Sequence, residues 1–268
     1  MRVTFAGPAP QLAAHIMHAP AGGVEPRLVD VRAGAEPAGV REEILRGAPH
    51  AVVALGVPAA ALEDLPAVTL GLGESSDGCD RVLGAPGATR VWRARPLPVD
   101  DRLYADVRPP NGRPRALCLS RSTGRREDLL VGAKHGHDLV HYTHGLSGDA
   151  LSAALAATDV GITVAAQDTR EFAGEALVHL AAGQLLLAEP FVPPCGLEAG
   201  IDYVPVTTRD DISRELTRLG LRPDAYERVR IRGRLKAEEH RASLVWPRLI
   251  HDLLEDIRVF GRRRPADF

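Results

Sequence analysis

The stretch Arg170–Pro190, REFAGEALVHLAAGQLLLAEP, decides the fold. A polar loop runs into an apolar helix, Gly183 ends that helix, and Gln184–Ala188 follows as a buried strand. Glu189 then stands at the strand's carboxyl end. A short, continuous apolar run bounded by turn signals reads as a buried strand of a parallel sheet. In open α/β sheets ligands bind in the crevice beyond the carboxyl ends of the strands. The stretch therefore predicts both an architecture and a place for a ligand.

Upstream, the same alternation recurs. Arg115–Leu119, Asp138–Tyr142 and Val160–Ala165 read as strands, and Tyr203–Val206 as a short one downstream. Helices are expected from about Arg125, after Ser147 as N-cap through Ala157, and over Asp210–Leu219. Asp224–Ser243 and Leu244–Val259 read as two closing helices, with Pro247 kinking or interrupting them. The first part of the chain repeats the pattern. Strands are expected at Arg2–Ala6, Arg27–Val31, His50–Leu55, Ala67–Leu72, Asp80–Leu83 and Arg90–Ala94, and helices at Gln11–His18 and Pro37–Arg46. Strands spaced by helix-length segments imply parallel sheets. Three prolines and a glycine break the pattern near VRPPNGRP. The expected organisation is an N-terminal α/β domain over 1–107, a Pro-rich linker over 108–114, and a C-terminal α/β domain with closing helices over 115–268. Two Rossmann-like domains facing across a cleft are the expected fold class, with the cleft as the place for a nucleotide and a second substrate.

Composition removes several functions. The chain has 268 residues, 45% hydrophobic and 25% charged, with a net charge of −2. That balance fits a soluble globular protein and argues against a globally basic nucleic-acid binder. Aromatic residues make up 4%, too few for base-stacking platforms. Cys79, Cys118 and Cys195 are far apart and form no CxxC pair, so neither a structural zinc site nor a disulfide framework is expected. Reduced thiols point to the cytoplasm. No run reaches the ~18 apolar residues of a membrane span, and the N-terminus carries no signal-peptide pattern. Gly7-Pro8-Ala9-Pro10 is not GxGxxG, no Walker lysine follows a Gly loop, and no serine sits in GxSxG.

The C-terminal half resembles the donor domain of GT-B glycosyltransferases, in particular the spore-maturation (CgeB-like) branch of the group-1 family. Leu117–Gly124 is similar to the strand and polar turn that open such domains. Ala157-Thr158-Asp159-Val160-Gly161-Ile162 is similar to an A-D-V-G strand entry. Phe172 with Ala181-Ala182-Gly183 resembles an F-G…E-A-x-A-x-G helix, and Gly196–Tyr203 an L-F-x-P-G-x-x-Y segment. The resemblance covers Arg115 to the end and implies transfer of a sugar from a nucleotide-sugar donor to an acceptor hydroxyl. The nucleotide sugar would be a substrate, with no cofactor and no metal. In many relatives two glutamates eight residues apart bracket the helix before Gly183 and touch the donor. The matching positions here are Arg170 and Val178, neither acidic. Glu171 and Glu175 lie close enough to serve instead. A fold that has kept nucleotide binding and lost catalysis, acting as a scaffold, is the alternative.

The donor's diphosphate asks for arginines, backbone N–H groups or a helix N-terminus. Arg121, Ser122 and Thr123, on the turn after Leu119, are either diphosphate contacts or an ordinary capping turn. Arg125 and Arg126 read as solvated helix-face residues. Arg170 is placed to neutralise the leaving group, and Glu171 or Glu175 to accept from hydroxyls. Phe172 and His179 flank the same helix. His144, at the end of its strand, is a donor contact or a loop histidine. His15, with His18, follows the first strand and is the candidate general base, or else a partly buried structural histidine. His137 and His141 would lie ~13 Å apart along a strand, too far for one zinc.

Overall fold

The computed structural model describes residues 1–8, 14–73, 78–86, 88, 91–110, 112–144, 146–166 and 174–262. The chain forms two units, Met1–Asp101 with Arg241–Phe268, and Arg102–His240.

The first unit holds a six-stranded sheet. Its strands are β1 (Arg2–Gly7), β2 (Glu25–Asp30), β3 (Ala51–Ala54), β4 (Val68–Leu72), β5 (Arg81–Gly84) and β6 (Arg93–Ala94). They are ordered β2-β1-β3-β4-β5-β6, and every pairing is parallel. β3, β4 and β5 are buried along their whole length, which is why they read as unbroken apolar runs. One face carries α1 (Pro37–Arg46) and α2 (Ala59–Leu62), with Val40, Ile44, Ala61 and Leu62 over Ala6, Val52 and Ala54. Of the helix expected over Gln11–His18, Gln11 to Ala13 lie outside the described residues, and Ala14–His18 form a turn and extended chain.

The other face is covered by the last helix of the chain. Between Arg102 and His240 the second unit contributes its own elements. Strands β7 (Arg115–Cys118), β8 (Asp138–His141), β9 (Val160–Thr163), β10 (Leu185–Ala188) and β11 (Val204–Pro205) are ordered β11-β10-β9-β7-β8, again all parallel. Helices α3 (Gly124–Gly136), α4 (Gly148–Ala156), α5 (Glu175–Ala181), α6 (Arg209–Leu221) and α7 (Glu227–Glu238) surround it, and α8 (Ala242–Phe260) returns to the first unit. α3 and α6 bury Leu130, Ala133, Ile212, Leu216 and Leu219 against Ala116, Cys118, Ile162 and Leu187. α5 packs on the opposite face, against β9 and β10, and α7 packs on α5.

The crossings differ from the Pro-rich boundary read from the sequence, and so does the allotment of the closing helices. Ala105 N–H donates to Ala181 O (3.0 Å), the Tyr104 hydroxyl to Ala237 O (2.6 Å), and Arg234 Nε to Ala105 O (2.7 Å). These bonds tie the chain before the prolines to α5 and α7. α8 buries Val245, Trp246, Leu249, Ile250 and Leu253 on Val3, Phe5, Val53 and Leu70. Their spacing is a helical stripe. Trp246 meets Phe5 edge-on at 5.2 Å between ring centroids, and its Nε1 donates to His15 O at 2.7 Å. The break between α7 and α8 falls at Glu239–Arg241, not at Pro247. Asp101 makes it there, accepting from Ser243 N (2.9 Å) and Ser243 Oγ (2.6 Å) at the new helix's start. Pro247 lies inside α8, buried against Gly22.

Candidate functional site

In the second sheet the chain leaves β7 toward β8 on one side and returns as β9 on the other. The switch point therefore lies between the carboxyl ends of β7 and β9, where a doubly wound sheet opens a crevice for a ligand. Four groups of side chains converge there.

The first is the opening turn of α3. Thr123 is the N-cap, its Oγ1 accepting from Arg126 N at 3.3 Å. The next residues inside the helix are Gly124, Arg125 and Arg126. Cations at a helix N-terminus meet the positive end of the dipole, a loss of about 0.3–1 kcal/mol each. Both arginines are compensated by the strand ends. Arg126 Nε donates to Val164 O (2.8 Å) and Nη1 to Arg121 O (2.7 Å), joining the exits of β9 and β7. Among the described residues no carboxylate pairs with it. Its positive charge is thus held in place by carbonyls alone. The sequence reading of Arg125 and Arg126 as solvated helix-face residues is corrected by these bonds.

The second group is Glu189 with Arg125. Glu189 is buried at the end of β10 and takes Arg125 in a two-pronged ion pair, with Nη1 to Oε2 at 2.8 Å and Nη2 to Oε1. The same Oε2 accepts from Ala165 N (2.8 Å), and Arg125 Nη1 also donates to Ala165 O (3.1 Å). Thr123 Oγ1 donates to Ala166 O at 3.4 Å. Residues 164–166, which lead out of β9, are therefore fastened at each step to α3 or β10.

The third group is Glu175 and Thr163. Gly161 has no room for a side chain, since a Cβ there would lie 2.3 Å from His179 Cγ. His179 of α5 thus sits directly over Gly161 of β9. Two residues on along the strand and one turn back along the helix, Thr163 and Glu175 occupy the next layer toward the crevice. Thr163 is buried, and its hydroxyl has no partner among the described residues. Glu175 is half-buried at the first position of α5. Burial pushes the Cys118 thiol up; Ser120 bonds and the Arg126 charge oppose this, and the Glu175 charge adds to it. Both charges are therefore felt at the end of β7.

The fourth group joins β8 to the switch loop. His141 Nε2 lies 2.6 Å from Ser120 O, and its Nδ1 lies 3.4 Å from Glu127 Oε1. Glu127 accepts from Ser122 Oγ (2.6 Å) and from Lys134. These bonds, Lys134 foremost, hold the Glu127 carboxyl below its usual range.

Of the residues singled out from the sequence, Arg121, Ser122 and Thr123 lie on this loop, with Arg121 exposed and Ser122 turned to Glu127. Glu175 is at the switch point. Arg170, Glu171 and Phe172 lie outside the described residues. His144 is exposed on the turn after β8. His179 is a correction: it is fully buried, with Nδ1 donating to Gln184 Oε1 (2.6 Å), and burial lowers its pKa to about 4. Gln184 Nε2 in turn donates to Leu155 O (2.9 Å) and Thr158 Oγ1 (2.6 Å). That chain fastens α5 to the turn before β9 and leaves His179 no surface to offer a ligand. His15 belongs to the first unit, its Nδ1 2.8 Å from Pro98 O. Among the described residues no group of three His, Cys, Asp or Glu is placed to hold a metal, and no helix is long and apolar enough to cross a membrane. Sequence reasoning missed Arg125, Arg126 and His141. The signal for the arginines was present: two cations in the first turn of a helix need a reason to be there.

No family model matches the chain, and no curated protein does. Solved structures do. An α-glucosyltransferase in complex with UDP-glucose and DNA containing an abasic site superposes with a TM-score of 0.62 at 10% identity, over 95% of this chain and 99% of that one. A glycosyltransferase involved in avilamycin A biosynthesis gives 0.58 at 14% identity, covering 97% and 98%. Sucrose-phosphate synthase from Thermosynechococcus elongatus gives 0.56 at 10% identity, covering 97% and 99%. The fold is that of the GT-B glycosyltransferases. At such identities the likeness speaks for the two parallel α/β units and their order, and the chemistry has to be argued from this chain's own residues.

Proposed function

We propose that the protein is a glycosyltransferase that moves a sugar from a nucleotide-sugar donor to an acceptor hydroxyl. The donor's diphosphate binds at the β7/β9 switch point. The observation that carries this reading is Arg126, a guanidinium fixed between Val164 O and Arg121 O at the start of α3 with no carboxylate among the described residues to neutralise it. In this reading Arg126, Arg121 and the N-terminus of α3 meet the phosphate charge without an obligatory metal. Arg170 adds to them from the segment 167–173. Glu175, near Thr163, whose buried hydroxyl has no partner among the described residues, accepts from ribose or sugar hydroxyls; Glu171 and Phe172, outside the described residues, are assigned to the donor from the sequence alone. The chemical task is a leaving-group problem: charge grows on the departing diphosphate, and fixed cations and N–H groups stabilise it without reorganising. Two of the solved structures with this fold are glycosyltransferases by name, which supports the reading. The order of the segments from Leu117 to Tyr203 supports a place in the spore-maturation branch of the group-1 family.

The test is calorimetric titration of the purified protein with UDP and GDP, followed by transfer assays with the corresponding nucleotide sugars. Saturable binding of one nucleoside diphosphate is expected. No binding to either defeats the proposal.

A further inference from the structure

We propose that Glu189 sets the charge of the donor site by holding Arg125 out of it, so that of the two cations in the first turn of α3 only Arg126 meets the diphosphate. The inference rests on the nucleotide-sugar reading of the switch point. Arg125 and Arg126 are the second and third residues of α3, both in its first turn. Their partners differ. Among the described residues the Arg126 guanidinium is bonded to carbonyls only. Arg125 is gripped by both oxygens of a buried carboxylate, and the grip is fixed further by Ala165 N on Oε2 and by Ala165 O on Nη1. An ion pair this well seated does not give up its guanidinium to an arriving phosphate. Removing one partner would leave the other's charge uncompensated in a partly desolvated place.

The consequence concerns release. A transferase must let its nucleoside diphosphate go after each turnover, and the diphosphate carries more exposed charge than the sugar-bearing donor. Two full cations at one helix N-terminus favour the product; one cation with a neutralised neighbour loosens it. Glu189 is thus a positioning residue that tunes product affinity, acting through Arg125 and touching no substrate.

The two single substitutions move UDP affinity in opposite directions, which a purely structural role does not produce. Glu189→Gln removes one negative charge and is expected to tighten UDP binding about tenfold and slow its dissociation. Arg125→Gln leaves the Glu189 carboxylate facing the phosphates and is expected to weaken it about tenfold; the double variant returns to within about threefold of the parent. Binding is read by calorimetry and release by stopped-flow chase, with circular dichroism confirming the fold. Weakening or no change in a folded Glu189→Gln protein overturns the inference. So does unchanged binding in Arg125→Gln, which keeps the question decidable where the Glu189 variant does not fold. Failure of the parent protein to bind UDP or GDP removes the site reading itself. Binding by the parent with both variants shifting the same way removes only the role of Glu189.

Discussion

Arg126→Gln is the substitution on which the donor site stands. The guanidinium is half-buried and aimed by two carbonyls, so little ordering remains to be done when a phosphate arrives. A hydrogen bond to a charged partner contributes about 1.5–3 kcal/mol, and each 1.4 kcal/mol is tenfold in Kd. Arg126→Gln should therefore weaken UDP binding roughly 10- to 100-fold. It also breaks the bonds to Val164 O and Arg121 O, at about 1 kcal/mol each, so a drop of several degrees in Tm accompanies it. The loss of affinity is separated from the loss of stability by titrating well below the transition. Arg126→Lys keeps the charge but not the planar fork that reaches both carbonyls, and should fall between the two. Titration at two salt concentrations adds a second reading: the salt dependence of binding flattens in Arg126→Gln and is retained in Arg126→Lys. Affinity within threefold of the parent in a folded Arg126→Gln protein would refute the assignment.

Glu175→Gln is expected to weaken binding of a nucleotide sugar about tenfold, the size of one lost charged hydrogen bond, while leaving inorganic pyrophosphate affinity unchanged; parallel titrations decide it. His179 makes stability depend on pH. Its folded pKa of about 4 lies below the 6.5 of an unperturbed histidine, so the unfolded chain takes up the proton first, and stability present in full above pH 6.5 is lost as pH falls. The loss is about 1.4 kcal/mol per unit, or roughly 2 kcal/mol from pH 6.5 to 5. Urea titrations should show that slope reduced in His179→Leu. Trp246→Ala, at the centre of the apolar stripe of α8, is expected to cost about 3–5 kcal/mol and to melt the first unit; a smaller loss would mean that α8 is not what closes that sheet.

Much of the fold was legible because parallel strands buried on both faces are short unbroken apolar runs, and HAVVAL, AVTLGL and QLLLAEP carry that mark whatever their surroundings. The bounds of α1 could be read from Pro37 at its start and the arginine before Gly47. The unit boundary was not legible. Prolines mark irregular backbone, and irregular backbone can still be packed: Tyr104 and Ala105 are bonded into the second unit before the prolines begin. The allotment of the last helix depends on which sheet its stripe of Val245, Trp246, Leu249, Ile250 and Leu253 covers. Hydrophobic spacing fixes a face but not its partner. The site divides in the same way. Thr123 as a cap and Glu175 at a helix start are local facts, available from order alone. The pairing of Arg125 with Glu189 spans 64 residues, and the burial of His179 follows from a glycine in another strand.

The charges at the switch point can be accounted for together. A helix that begins Gly-Arg-Arg works against its own dipole; Glu189 matches the charge of the first arginine, while the second is bonded to carbonyls and keeps its positive charge without a carboxylate among the described residues. Thr163 presents a buried hydroxyl with no partner among the described residues, and an unsatisfied buried polar group of that kind costs about 1–3 kcal/mol. Both groups lie by the carboxyl ends of β7 and β9, and the proposed ligand, bringing negative charge and hydrogen-bonding oxygens, would meet both. Some other polar groups of this unit are locally bonded, as Gln184 with His179 and Asp211 with Thr207 and Thr208, while the buried His179 Nε2 and the Arg230 guanidinium have no hydrogen-bond partner among the described residues. The resemblance to the group-1 enzymes places acids at positions 170 and 178, where this chain has Arg170 and Val178. Here the carboxylates stand at Glu175 and Glu189 instead, one half-buried in the first turn of α5 and the other bound to Arg125. Under the proposed reading, the acid for hydroxyls and the cation for phosphates come from different positions along the chain than in the family pattern.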